Sequence, residues 1–130
     1  MSQAYAPRIS AGPFVRWWLP VILYVTVILI VSSQPRLKPP LHFQNADKLF
    51  HSAEYLGLGL LLARAIHGGT RIRQPLVAAL AALAIGVCVA AGDEYWQSFV
   101  PGRDSSVYDL LADTAGCAVA QFVYVWFARE

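Results

Sequence analysis

Two short windows hold seven of the eight acidic residues of this chain. The first is Asp47-Lys48-x-x-His51-x-x-Glu54. The second runs Asp93-Glu94-x-x-Gln97, then Arg103-Asp104, Asp109 and Asp113. Both are set in or against apolar sequence, where charged groups are unfavourable and by default mark a functional site. These residue types offer several chemistries. Arg103 presents a bidentate fork for a phosphate, and Lys48 adds a point charge. Asp93, Asp109 and Asp113 are candidate oxygen ligands for a divalent metal ion. His51 with Glu54, Asp93 and Asp113 is a second possible set, for zinc or manganese, although one histidine is few for zinc. His51 and Asp109 are the candidate catalytic acid and base, with Glu54 as an alternative to His51. A purely structural reading stands beside these: Lys48, Arg103 and His51 neutralise the acids and tie helices together. Seven acids against two permanent cations and one histidine leave that network in excess of negative charge.

The surroundings restrict the choice. Of 130 residues, 57% are hydrophobic and 14% charged, and the mean hydropathy is +0.48. Globular domains carry about 25% charged residues. The length allows one compact unit. A net charge of +2 with singly spread basic residues argues against nucleic acid. Cys88 and Cys117 lie in apolar stretches without metal spacing and read as small buried hydrophobes.

Four apolar segments could position the polar windows: 14–31, 48–66, 75–99 and 107–127. Each approaches the ~20 residues that cross a bilayer core. The second and fourth carry acids and can span only as bundle members whose polar side faces protein. The expected fold is therefore all-α, an integral membrane bundle of four transmembrane helices. Residues 1–13 form a cytoplasmic tail and 14–130 a single domain. The first segment has a long charged leader and no good cleavage site, so it reads as a retained span and not a signal peptide. Trp17 and Trp18 read as interfacial anchors, as do Tyr55, Tyr95 and Trp96. Pro20 is placed one turn into the first helix, where missing backbone bonds are tolerated. His42 and His67 read as solvated loop residues. Ser105 or Ser106 suits the N-cap of the fourth helix.

Orientation follows from Lys and Arg, which favour the cytoplasmic side. Arg8, Arg16, Arg64, Arg71, Arg73 and Arg129 fall on one side, and Arg36, Lys38, Lys48 and Arg103 on the other. Both termini are then inside. The same count brings Lys48, His51 and Glu54, the Asp93-Glu94-Gln97 block, Arg103, and Asp109 with Asp113 to one outer level. Helical spacing of four groups Asp47, His51 and Tyr55 on one face, and Asp109, Asp113 and Gly116 on another. At ~1.5 Å per residue, Asp113 lies only ~10 Å below the start of its helix, so the acids form a shallow pit near the interface. Ala112, Gly116 and Ala120 make a ridge of small residues for close packing.

The ordered blocks Asp47-Lys48-x-x-His51-x-x-x-Tyr55, Asp93-Glu94-x-x-Gln97-x-x-x-Pro101-Gly102-Arg103 and Asp109-x-x-x-Asp113-x-x-Gly116 resemble the VanZ-like family over about residues 20–127. The family pattern usually has Phe at Ser52 and Asn at Asp113. The resemblance implies a small multi-pass protein of the bacterial cytoplasmic membrane. It also implies a link to the cell envelope and to low-level tolerance of the glycopeptide teicoplanin, with no reaction attached.

The reading taken from the residues and this resemblance together is an outward-facing pit of Lys48, His51, Glu54, Asp93, Glu94, Gln97, Arg103, Asp109 and Asp113. It would engage an anionic lipid-like envelope molecule, such as a lipid-linked precursor, or a glycopeptide. The alternatives are an enzyme acting on a lipid-linked phosphate with a divalent metal ion, and a structural protein whose acids form ion pairs only. Membrane lipids are the expected partners, and a homo-oligomer is possible for so small a chain.

Overall fold

The computed structural model describes residues 11–35, 38, 40 and 43–128. Arg8, Arg36, His42, Arg129 and Glu130 fall outside the described residues. Four helices account for nearly all of the rest: α1 (Ala11–Ser32), α2 (Ala46–Gly69), α3 (Pro75–Gln97) and α4 (Val107–Phe127). Among the described residues there is no strand. Local chemistry sets several of the ends. Asn45 precedes α2 in the left-handed conformation, at φ 64°, which asparagine tolerates better than most residues. Pro75 opens α3, where its missing N–H costs nothing. The Ser106 hydroxyl accepts the Tyr108 backbone N–H and caps α4. Gly102, at φ 78°, supplies the left-handed residue of the turn before Arg103.

α1, α3 and α4 are long and apolar enough to cross a membrane; α2 is not. The packing supplies the reason. α2 contacts each of the other three helices, most extensively α4, whereas no packing joins α1 to α4. A helix with three protein neighbours needs less lipid-compatible surface, so α2 can carry Asp47, Lys48, His51, Glu54, Arg64 and His67. The expectation of four spans is thus met for three helices by composition. The fourth packs against all three of them and keeps Leu49, Phe50 and Ala53 exposed.

The α2–α4 seam is close and regular. A Cβ on Gly116 would collide with the Ser52 carbonyl oxygen, and one on Gly59 would lie 2.7 Å from the Ala120 Cβ. Polar contacts repeat along the seam at about one per turn. The Ser52 hydroxyl donates to the Ala112 carbonyl at 2.7 Å. The Cys117 thiol points to the Tyr55 carbonyl at 3.5 Å. The Gln121 amide donates to the Gly59 carbonyl at 3.0 Å. The expected small-residue ridge is therefore where α4 meets α2.

Several residues differ from expectation. α1 begins at Ala11, so Pro20 is interior and not in the first turns. Its missing N–H releases the Arg16 carbonyl, which accepts a bond from the Arg64 guanidinium at 3.3 Å. The Trp17 ring lies against Gly68 and Gly69 at the end of α2, with the guanidinium groups of Arg64 and Arg16 at 4.7 and 5.0 Å. It packs helix on helix as well as lying near a helix end. Tyr55 is fully buried and is no interfacial aromatic. His67 is helical, half-buried, and bonded to the Tyr124 hydroxyl at 2.6 Å and the Arg73 carbonyl at 3.1 Å. Cys117 is buried as expected; Cys88 is exposed on α3.

The collision at Gly116 gives a direct test. Gly116→Ala should separate α2 from α4 and cost about 1–3 kcal/mol. Ala112→Gly, at the half-buried residue four positions earlier on α4, should cost under about 1 kcal/mol. Thermal melts in detergent compare the two.

Candidate functional site

The polar windows meet at one end of the bundle, where α1 and α3 finish and α2 and α4 begin. Two groups of contacts form there. In the first, α2 meets α4. The Lys48 ammonium donates to Asp47 Oδ2 at 2.7 Å and to Asp109 Oδ1. One turn deeper, His51 Nδ1 lies 2.9 Å from Asp113 Oδ1, and Asp113 is fully buried. Lys48 and His51, three apart on α2, thus face Asp109 and Asp113, four apart on α4; both spacings keep their residues on one side of a helix.

In the second group, α3 meets α1. Asp93 Oδ2 accepts the Ser32 hydroxyl at 2.8 Å and the Gln97 amide at 3.2 Å. That amide also reaches Ser32 Oγ at 3.3 Å. Glu94 turns the other way, and its Oε2 accepts the Ser106 backbone N–H at 3.0 Å, fixing the entry to α4. Ser32, one residue past the first apolar segment 14–31, is a site residue with no place among the sequence candidates. It ends α1 with only 3% exposure and gives its hydroxyl to a carboxylate, whereas Tyr24, farther back on α1, gives its hydroxyl to the Glu54 backbone carbonyl at 2.9 Å. The one sequence signal of Ser32 is a hydroxyl closing an apolar run.

Arg103 sits over the end of α1. Its guanidinium approaches the Ser32 and Val31 carbonyls through long contacts of 3.4 and 3.5 Å. A cation there complements the partial negative charge of a helix C-terminus. Arg103 also lines a cavity of about 660 Å³ together with Lys38, Glu54, His51, Asp109 and the apolar Phe50. Asp93, Glu94 and Asp113 lie behind that wall, more than nine-tenths buried. Asp104 reaches the cavity rim from the loop.

The two departures from the family pattern noted in the sequence have structural roles. The Ser52 side chain supplies the hydroxyl bond to Ala112, at a residue whose backbone carbonyl lies against Gly116. Asp113 gives His51 an acceptor that an asparagine could also give. Its second oxygen, Oδ2, has no hydrogen-bond partner among the described residues, as is true of Asp93 Oδ1 and Glu94 Oε1.

The oxygen ligands expected for a metal ion, Asp93, Asp109 and Asp113, are divided between the two groups of contacts. Among the described residues, the set that draws together is His51, Glu94 and Asp109, whose ligand atoms lie within 4.8 Å of one another. The alternative of His51 with Glu54, Asp93 and Asp113 does not form such a set.

The family model VanZ/LLP1 matches residues 13–128. The chain belongs to the VanZ/LLP1 family. No curated protein and no solved structure matches it. The match takes in all four helices and both polar windows, so the site described here lies wholly within the family domain.

The Lys48–Asp109 pair is partly buried, with side-chain exposures of 30% and 9%. Removing one partner leaves the other uncompensated, whereas removing both does not. Lys48→Met should therefore destabilise by about 1–3 kcal/mol. Adding Asp109→Leu should recover a measurable part of that loss. A double-mutant cycle by thermal unfolding reads the coupling, and additive losses would contradict the pairing.

Proposed function

We propose that this VanZ/LLP1 protein is a four-span protein of the bacterial cytoplasmic membrane whose polar pit faces outward and holds the anionic headgroup of an envelope lipid. Both termini lie in the cytoplasm in this reading. The fourth span in this reading is α2, which packs against all three apolar helices.

The observation that carries the proposal is the composition of the cavity wall. At about 660 Å³ the cavity is within the size range of small-molecule sites, about 300–1,000 Å³. Cationic Lys38 and Arg103 share the wall with apolar Val31 and Phe50. That combination suits a phosphate joined to an acyl or prenyl tail. The acidic part of the wall, Asp47, Glu54 and Asp109, suits hydroxyl or amine groups on the same head. Lys48 already offsets Asp47 and Asp109. A lipid-linked envelope precursor has these features. Its retention would connect the protein to envelope maintenance and to tolerance of glycopeptides such as teicoplanin.

Two measurements test the reading. Mass spectrometry of gently extracted protein should find a phosphate-bearing lipid on the wild type, several-fold depleted in Arg103→Ala and restored in Arg103→Lys. Equal retention by all three would remove Arg103 from the proposal. For orientation, Ser105→Cys in a background lacking Cys88 and Cys117 should react with an impermeant maleimide on intact cells. Reaction only after permeabilisation would invert the topology.

A further inference from the structure

We propose that His51, Glu94 and Asp109 form a binding site for one divalent first-row transition-metal ion, of the Zn²⁺ or Mn²⁺ class. Three separate elements supply the ligands: the start of α2, the end of α3 and the start of α4. One imidazole nitrogen and two carboxylate oxygens lie within 4.8 Å of one another. Small side-chain movements bring such atoms to bonds of about 2.0–2.2 Å from a common centre. The mixed nitrogen and oxygen donors favour a transition ion over calcium or magnesium, which take oxygen donors.

The surroundings point the same way. His51 Nδ1 faces buried Asp113 Oδ1 at 2.9 Å. An imidazole that donates from Nδ1 to a carboxylate presents its Nε2 lone pair for coordination, the usual arrangement behind a metal-binding histidine. Glu94 is 6% exposed. Its Oε2 is held by the Ser106 N–H, while Oε1 has no hydrogen-bond partner among the described residues. The carboxylate is thereby oriented with one oxygen available. A divalent ion also reduces the excess of acids. Asp47, Glu94, Asp109 and Asp113 lie around His51 and Lys48, and Lys48, bonded to both Asp47 and Asp109, supplies only one positive charge against them. His51 and Asp109 line the cavity, which gives the ion a route in.

Ion binding is independent of the lipid reading. A role for the ion as an additional charge facing a phosphate headgroup rests on that reading. The test therefore concerns the ion alone. Metal-free protein in detergent is titrated with ZnCl₂ or MnCl₂ by calorimetry. The wild type should take up one ion per chain. Glu94→Gln should weaken binding at least tenfold. Asp93→Asn, whose carboxylate is engaged by Ser32 and Gln97, should stay within twofold of wild type. No uptake by folded wild type, or equal weakening by both variants, would overturn the site. Should Glu94→Gln fail to fold, X-ray absorption of zinc-loaded wild type decides. One imidazole among oxygen donors supports the site, and a shell lacking imidazole refutes it. A failure to retain lipid leaves these outcomes unchanged.

Discussion

The close approach of α2 to α4 is the constraint on which the remaining structure depends. Two helices that touch backbone to backbone, as at Gly116 against Ser52, have no freedom to slide or rotate independently. Every group carried on the facing stripes is then fixed relative to its opposite number. Lys48 meets Asp109 and His51 meets Asp113 because Tyr55 meets Cys117 and Gly59 meets Gln121 farther along the same seam. The apolar part of the seam positions, and the polar part at its end is what becomes positioned. In a lipid surrounding, where apolar side chains gain little by leaving one another for lipid, such close packing and the bonds across it are the main source of helix association.

The same constraint accounts for the composition of α2. A helix that packs on three neighbours keeps its side chains among protein groups, so polar residues on it need protein partners in place of an apolar coat. Those partners are present along its length. Lys48 and His51 have carboxylates, Ser52 has a carbonyl, Arg64 has the carbonyl released by Pro20, and His67 has the Tyr124 hydroxyl. The least apolar helix is thus the best connected by bonding. The two facts have one cause.

The polar end is organised as two bonded groups and a shared cavity, which a single mixed network would not give. Asp93, Gln97 and Ser32 join α3 to α1, away from the histidine. Glu94, the next residue along α3, points about 100° farther round the helix and so reaches the loop before α4 and the neighbourhood of His51 and Asp109. Adjacent acids on one helix therefore take different roles. Their angular separation is enough to explain it.

Much was legible without coordinates. Apolar runs gave four helices, spacing of four grouped Asp109 with Asp113, and the parity of helix count brought distant acids to one end. The small residues at 112, 116 and 120 pointed to close packing because only they let backbones touch. Tertiary structure decided what periodicity cannot carry, namely which faces meet. It packed α2 against all three other helices, so Tyr55 became core and His67 a bonded helical residue, while Cys88 faced outward. It made Ser32 part of the site. It drew His51, Glu94 and Asp109 together and sent Asp93 elsewhere. Spacing along one helix determines which residues share a face, but the rotation of each helix about its own axis is set only when all four pack.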